Sequence, residues 1–133
     1  MSRSLQLFIE ADLEEELLIN YLNNYLSHGV ESIEFLRDHA EYFIQIQRYL
    51  EGFHCGLNIS WKDDNFLDIN EKNLAGSIAQ YFDTTVLFEP EDIFLPNERE
   101  WCLISNMGKG YAVNIVEHND GLVVLKESEI RLF

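Results

Sequence analysis

The sequence predicts an α+β domain: a largely antiparallel sheet of about six to seven strands, two helices packed on one face, and a C-terminal β-meander. Three patterns carry that expectation. Two segments repeat apolar residues at helical spacing, Leu13 to Leu26 and Leu74 to Phe82. Between them, Phe53, Cys55, Leu57, Ile59 and Trp61 alternate with His54, Gly56, Asn58, Ser60 and Lys62, the period of two of a strand. Near the end, Met107-Gly108-Lys109-Gly110 and Asn119-Asp120-Gly121 punctuate short apolar runs as hairpin turns do. At 133 residues the chain is read as one domain, residues 1–133, large enough to bury a core.

Taken in order, Leu5, Leu7 and Ile9 alternate as a first strand with one committed face. Asp12 is placed to cap a helix, with Glu15 at the capping-box position and Glu14 and Glu16 favourable at the positive end of its dipole. Leu13, Leu17, Leu18, Tyr21, Leu22, Tyr25 and Leu26 form its apolar stripe, and Gly29 ends it. Val30 to Asp38 fits either a strand or a helical turn. From Glu41 to Trp61 the pattern predicts a hairpin, with Glu51-Gly52 as its turn. A second helix is expected from Glu71 to Phe82, capped by Asn70, and a strand from Thr84 to Phe88. The meander is expected as Glu100 to Ser105, Tyr111 to Glu117 and Leu122 to Lys126.

Charge is the property that bears most on function. The chain holds 24 acidic and 9 basic residues, a net charge of −15. The excess lies between Glu10 and Glu100, where 20 acids meet five bases. Such a field repels nucleic acid and anionic lipid and attracts basic protein surfaces. The nine Phe, six Tyr and two Trp argue against a disordered acidic chain. No apolar run reaches membrane-spanning length, and the N-terminus lacks a signal-peptide pattern, so a cytoplasmic location is the expectation. Cys55 and Cys102 make no CxxC and read as buried free thiols rather than a disulfide.

Catalytic and metal patterns are weak. His28, His39, His54 and His118 are scattered, and His54 and Cys55 as strand neighbours point to opposite faces. Asp63, Asp64, Asp68 and Glu71 resemble a calcium loop in composition, yet Leu74 stands where the twelfth-position acid belongs. No cofactor or metal is therefore expected, and no catalytic residue stands out. The segment from Glu89 to Glu100 differs in kind. Five acids (Glu89, Glu91, Asp92, Glu98, Glu100) and one base surround Ile93, Phe94 and Leu95, and Pro90 and Pro96 frame that apolar run. Apolar anchors ringed by charge suit a protein-binding loop, with the acids steering a basic partner. The competing reading is that the three apolar residues cover an end of the core and the acids are solvated. The expected contact surface comprises Asp63, Asp64, Asp68, Glu71, Glu89, Glu91, Asp92, Phe94, Glu98 and Glu100.

The plan of the chain resembles that of small bacterial immunity proteins. The resemblance rests on the strand and acidic helix at the start, then Leu74-Ala75-Gly76-Ser77-Ile78-Ala79-Gln80-Tyr81-Phe82 leading into Thr85-Val86-Leu87-Phe88. The proline-containing acidic loop, Trp101-Cys102-Leu103-Ile104, a glycine turn and Tyr111-Ala112-Val113 complete it. It covers most of the chain without a diagnostic motif. What it implies is stoichiometric neutralisation of one basic toxin domain, often a nuclease, with no catalytic residues and no nucleic-acid or membrane partner. Two other classes stay open at this point: a small carboxylate-dependent hydrolase, and a structural or adaptor protein acting through protein–protein contacts.

Overall fold

The computed structural model describes residues 2–26, 30–32, 42–62, 70–90 and 95–133. Along the chain run β1 (Ser2–Ile9), α1 (Glu15–Leu26), β2 (Val30–Ser32), β3 (Tyr42–Arg48), β4 (Glu51–Gly52), β5 (Cys55–Lys62) and α2 (Glu71–Tyr81). They are followed by β6 (Val86–Phe88), β7 (Trp101–Ile104), β8 (Gly110–Val113), β9 (Ile115–His118), β10 (Gly121–Val124), a 3-10 turn at Lys126–Ser128, and β11 (Ile130–Arg131). The main sheet has eight strands in the order β11-β8-β7-β6-β1-β5-β3-β2, antiparallel except for the β2–β3 pair. A second sheet of three strands, β4-β10-β9, joins it. The fold is α+β, as the sequence patterns predict.

Alternation in the strands assigns each face. Leu5, Leu7 and Ile9 of β1, Cys55, Leu57 and Ile59 of β5, and Val86 and Phe88 of β6 pack with Leu18 and Leu22 of α1 and Leu74, Ala75, Ile78 and Ala79 of α2. Both helices thus cover one face. Phe8, Leu87, Leu103 and Val113 point the other way and meet Phe53 and Leu122 from the second sheet. The central strands are covered on both sides. This second layer corrects one sequence expectation: Phe53 belongs to the opposite core from Cys55, Leu57 and Ile59, because it precedes β5 and pairs its N–H with the Leu122 carbonyl, 3.3 Å away.

Helix α2 follows its sequence signals closely. The Asn70 side chain accepts from the Asn73 N–H at 3.0 Å, and the Phe82 N–H returns to the Ile78 carbonyl at 3.0 Å. Helix α1 departs from its predicted start. It begins at Glu15, and Leu18 N–H bonds to the Glu14 carbonyl, so Asp12 is not the cap. The Asp12 carboxylate instead accepts from Arg48 Nη1 at 2.6 Å. A guanidinium is a stronger partner for a carboxylate than a backbone amide, and it draws Asp12 away from the helix. The predicted apolar stripe is also narrower: Leu18 and Leu22 are fully buried, whereas Leu17 and Tyr25 are exposed. The expected stop at Gly29 lies outside the described residues.

Strands β3 and β5 pair antiparallel from Tyr42↔Trp61 to Arg48↔Cys55, and the bond from Tyr49 N–H to the His54 carbonyl leaves Glu51-Gly52 at the tip of their turn, as the sequence pattern predicts. That tip also pairs parallel to Gly121-Leu122, a contact the local pattern does not foretell. Gly52 has φ +70°, and a Cβ there would collide with the Leu122 carbonyl, so the crossing requires glycine at this point. The run Tyr111 to Glu117 is not one strand. It breaks at Asn114, whose N–H donates to Ser128 Oγ at 2.8 Å and whose carbonyl accepts from Leu125 N–H at 2.9 Å. Those bonds replace ladder bonds, and the chain passes there from the main sheet to the small one. The Asp120-Gly121 hairpin signal holds, with His118 paired to Gly121. No helix among the described residues is long and apolar enough to cross a membrane.

Candidate functional site

The two acidic connections are anchored at one end of the main sheet. Lys62, the end of β5, pairs with Ser2 at the start of β1. Strand β6 runs antiparallel to β1, so Phe88 and the following Glu89 head toward the Ser2 end, in register with Leu7 and Gln6. Strand β7 pairs Cys102 with Phe88, which brings Trp101 and Glu100 there as well. Helix α2 starts at the same end with Glu71.

That end carries a notch. Strand β1 pairs with β5 over its whole length, but the three-residue β6 meets it only at Phe8 and Ile9. No described strand pairs with residues 2–7 on the β6 side. The Glu10 N–H donates to the Thr85 carbonyl at 2.9 Å, so by antiparallel alternation the backbone groups of Ser4 and Gln6 face the notch. An open cleft of about 260 Å³ lies there, lined by Ser4, Leu5, Gln6, Phe8, Asn58, Glu71, Glu89 and Trp101. Gln6 and Asn58 sit directly opposite each other in the β1–β5 register. The Trp101 ring meets Phe8 edge-on at 5.9 Å, which fixes one wall.

Of the ten residues expected at a contact surface, the cleft unites Glu71 and Glu89. Glu98 and Glu100 are exposed in the adjoining loop, and the Glu100 N–H is held by Asn114 Oδ1 at 3.2 Å. Arg99, the loop's only base, is spent internally: Nε donates to the Ser128 carbonyl at 2.5 Å and Nη1 to the Asn97 carbonyl at 2.8 Å. Asn97 and Glu98 take left-handed backbone angles, φ 54° and 62°, at the centre of a tight turn closed by Arg99 N–H to the Pro96 carbonyl at 3.2 Å. Asp63, Asp64, Asp68, Glu91, Asp92 and Phe94 lie outside the described residues, as does Ile93.

Sequence reasoning missed Ser4, Gln6, Asn58 and Trp101. The polar phase of β1 and β5 was visible, but not that a short β6 leaves it bordering two acids. None of the described carboxylates is buried. The cleft offers carboxylate oxygens from Glu71 and Glu89, amide groups from Gln6 and Asn58, and an indole ring. That combination suits a guanidinium or ammonium group, which pairs with carboxylates and stacks on aromatic rings. Among the described residues, no three or more His, Cys, Asp or Glu side chains converge as a metal site would require.

Neither thiol lines this cleft. Cys55 and Cys102 are buried and free, on strands separated by β1 and β6. Three strand spacings, roughly 14 Å, exceed the reach of a disulfide. Burial pushes the Cys102 thiol up to about 11 against a smaller downward pull from Lys72, and burial also raises that of Cys55 against Arg48.

No known family's sequence profile, no curated protein and no solved structure matches this chain.

Proposed function

We propose that the chain is an acidic, cytoplasmic immunity or antitoxin-like protein of bacterial type that binds and blocks one basic toxin domain. The observation that supports this reading most is the meeting of Glu71 and Glu89 on the cleft beside β1, at the sheet end from which both acidic connections leave. In the second connection Glu89, Glu98 and Glu100 are exposed, and the base Arg99 is already occupied by backbone carbonyls. The field at this end is therefore left for a partner to neutralise.

The mechanism is occlusion. Carboxylates near the cleft take the positions that substrate phosphates occupy on a basic toxin, which makes a nuclease the best-matched class. Trp101 and the loop's apolar residues supply contact area that slows dissociation, while the acids set the association rate. One toxin domain binds one chain, with no nucleic acid or lipid in the complex.

Co-expression with the toxin encoded next to this gene tests the reading. Protected growth, together with a one-to-one complex of the purified proteins whose association slows steeply with added salt, is the expected result. Cells that die at the same rate with and without this protein would end it.

A further inference from the structure

The opposite end of β1 presents a second surface, unrelated to the acidic connections. Leu50 is 84% exposed, the most exposed large apolar side chain among the described residues. It is not on a loose tip. Both Leu50 N–H and Glu51 N–H donate to the Asp120 carbonyl at 3.0 Å, and Tyr49 N–H donates to the His54 carbonyl at 3.0 Å. Glu51-Gly52 is then locked into the small sheet beside Gly121 and Leu122. A leucine held rigidly in water forfeits its burial energy, and its ordering cost has already been met before any partner arrives.

Beside it lies an open cleft of about 520 Å³ lined by Asp12, Leu13, Glu14, Arg48, Tyr49 and Leu50. Arg48 is engaged by Asp12, while Glu14 on the rim is exposed. Glu10, Glu51 and Asp120 are also exposed around the same turn. The surface joins a fixed apolar knob to an apolar-floored cleft with an excess of carboxylates. We propose that this turn and cleft form a docking site for a basic protein segment that sets a lysine or arginine next to an apolar residue. Its cation lies against Glu14, beside the Asp12–Arg48 pair, and its apolar side chain packs on Leu50 and Tyr49. Charge complementarity selects that occupant over a second copy of this chain, whose own turn would bring like charges together. The site lies beyond the Ile9 end of β1, on the far side of the Phe8–Tyr49 ring contact from the Glu71–Glu89 cleft, and it stands whether or not the toxin reading does.

The test titrates the isotopically labelled full chain with a ten-residue peptide of alternating arginine and leucine. A second peptide of equal charge carries glycine in place of leucine. Amide shifts centred on Leu13, Tyr49, Leu50 and Glu51 are expected. Leu50→Ala should weaken the leucine peptide about ten-fold while leaving the glycine peptide unchanged, and Glu89→Gln should change neither. Shifts confined to Ser4–Phe8, or equal losses from Leu50→Ala and Glu89→Gln, would overturn the proposal. So would a Leu50→Ala variant that binds the leucine peptide as the parent does. Leu50 is exposed, so its truncation leaves the core intact in every arm.

Discussion

Replacing Ser128 by alanine removes one oxygen on which three segments depend. Ser128 is buried, and its Oγ accepts the Asn114 N–H at 2.8 Å and donates to the Leu125 carbonyl at 2.5 Å. Leu125 retains a bond from the Ser128 backbone N–H at 2.9 Å, so its carbonyl is not orphaned. Asn114 has no such reserve, and its N–H loses its acceptor in a partly buried setting. An unsatisfied buried donor costs about 1–3 kcal/mol, and the middle of that range applies because water reaches the edge of the site. For a chain of this size about 2 kcal/mol corresponds to a fall in melting temperature of roughly 8 °C. Denaturant unfolding should show the midpoint lowered with an unchanged slope. Glu127→Ala, at the exposed neighbouring position, should change stability by less than about 0.5 kcal/mol. If Ser128→Ala were equally silent, the strand break at Asn114 would not be held by that hydroxyl, and its explanation would fail.

Gly52→Ala should destabilise the fold by at least about 2 kcal/mol, through left-handed backbone strain and the collision with the Leu122 carbonyl; a thermal melt within 2 °C of the parent would contradict the crossing. Both cysteines should resist a thiol reagent at pH 8 in the native protein and react only on unfolding. Cys102 has a folded-state pKa of about 11 against an ordinary 9.0, so the stability contributed by keeping its thiol neutral is complete below about pH 9. It is lost as the pH rises through about 11, and Cys102→Ala should flatten stability against pH in that window. Glu89→Gln combined with Glu100→Gln should slow association with the cognate toxin several-fold at low salt and leave dissociation nearly unchanged; stopped-flow mixing at two ionic strengths measures both.

Local rules made much of the fold legible. Asn70 caps α2, His118 and Gly121 close a hairpin, and the register of β3 on β5 follows the alternation around Ile44 and Leu57. These features depend on residues within a few positions of one another. The misread ones depend on distant partners. Asp12 is claimed by Arg48, and Asn114 by Ser128; the extra pairing of the Glu51-Gly52 turn with a strand some seventy residues later is of the same kind. Nothing within reach of a short window reports those encounters. The small sheet was hidden for the same reason, since β8 and β9 follow one another in sequence with only Asn114 between them. At the candidate site, the acids were legible from composition. Their convergence on Gln6, Asn58 and Trp101 follows from the shortness of β6, a tertiary fact.

The main sheet wears two unequal coats. Among the described residues, eighteen buried ones form the core on the helix side, and six form the core between its other face and the small sheet. Free energy of opening scales with the apolar surface that must be re-exposed, so the two coats come off at different thresholds. The small sheet can lift while the helix side stays sealed, and amide protons of β9 and β10 should then exchange by a shallower opening than those of β1 and β5. Leu50 is tied to that shallower unit through β4, whereas Leu13 and Arg48 of the proposed docking cleft belong to the helix side and the main sheet. Lifting the small sheet would therefore split the proposed docking surface, freeing Leu50 while the charged wall of the cleft stays in place.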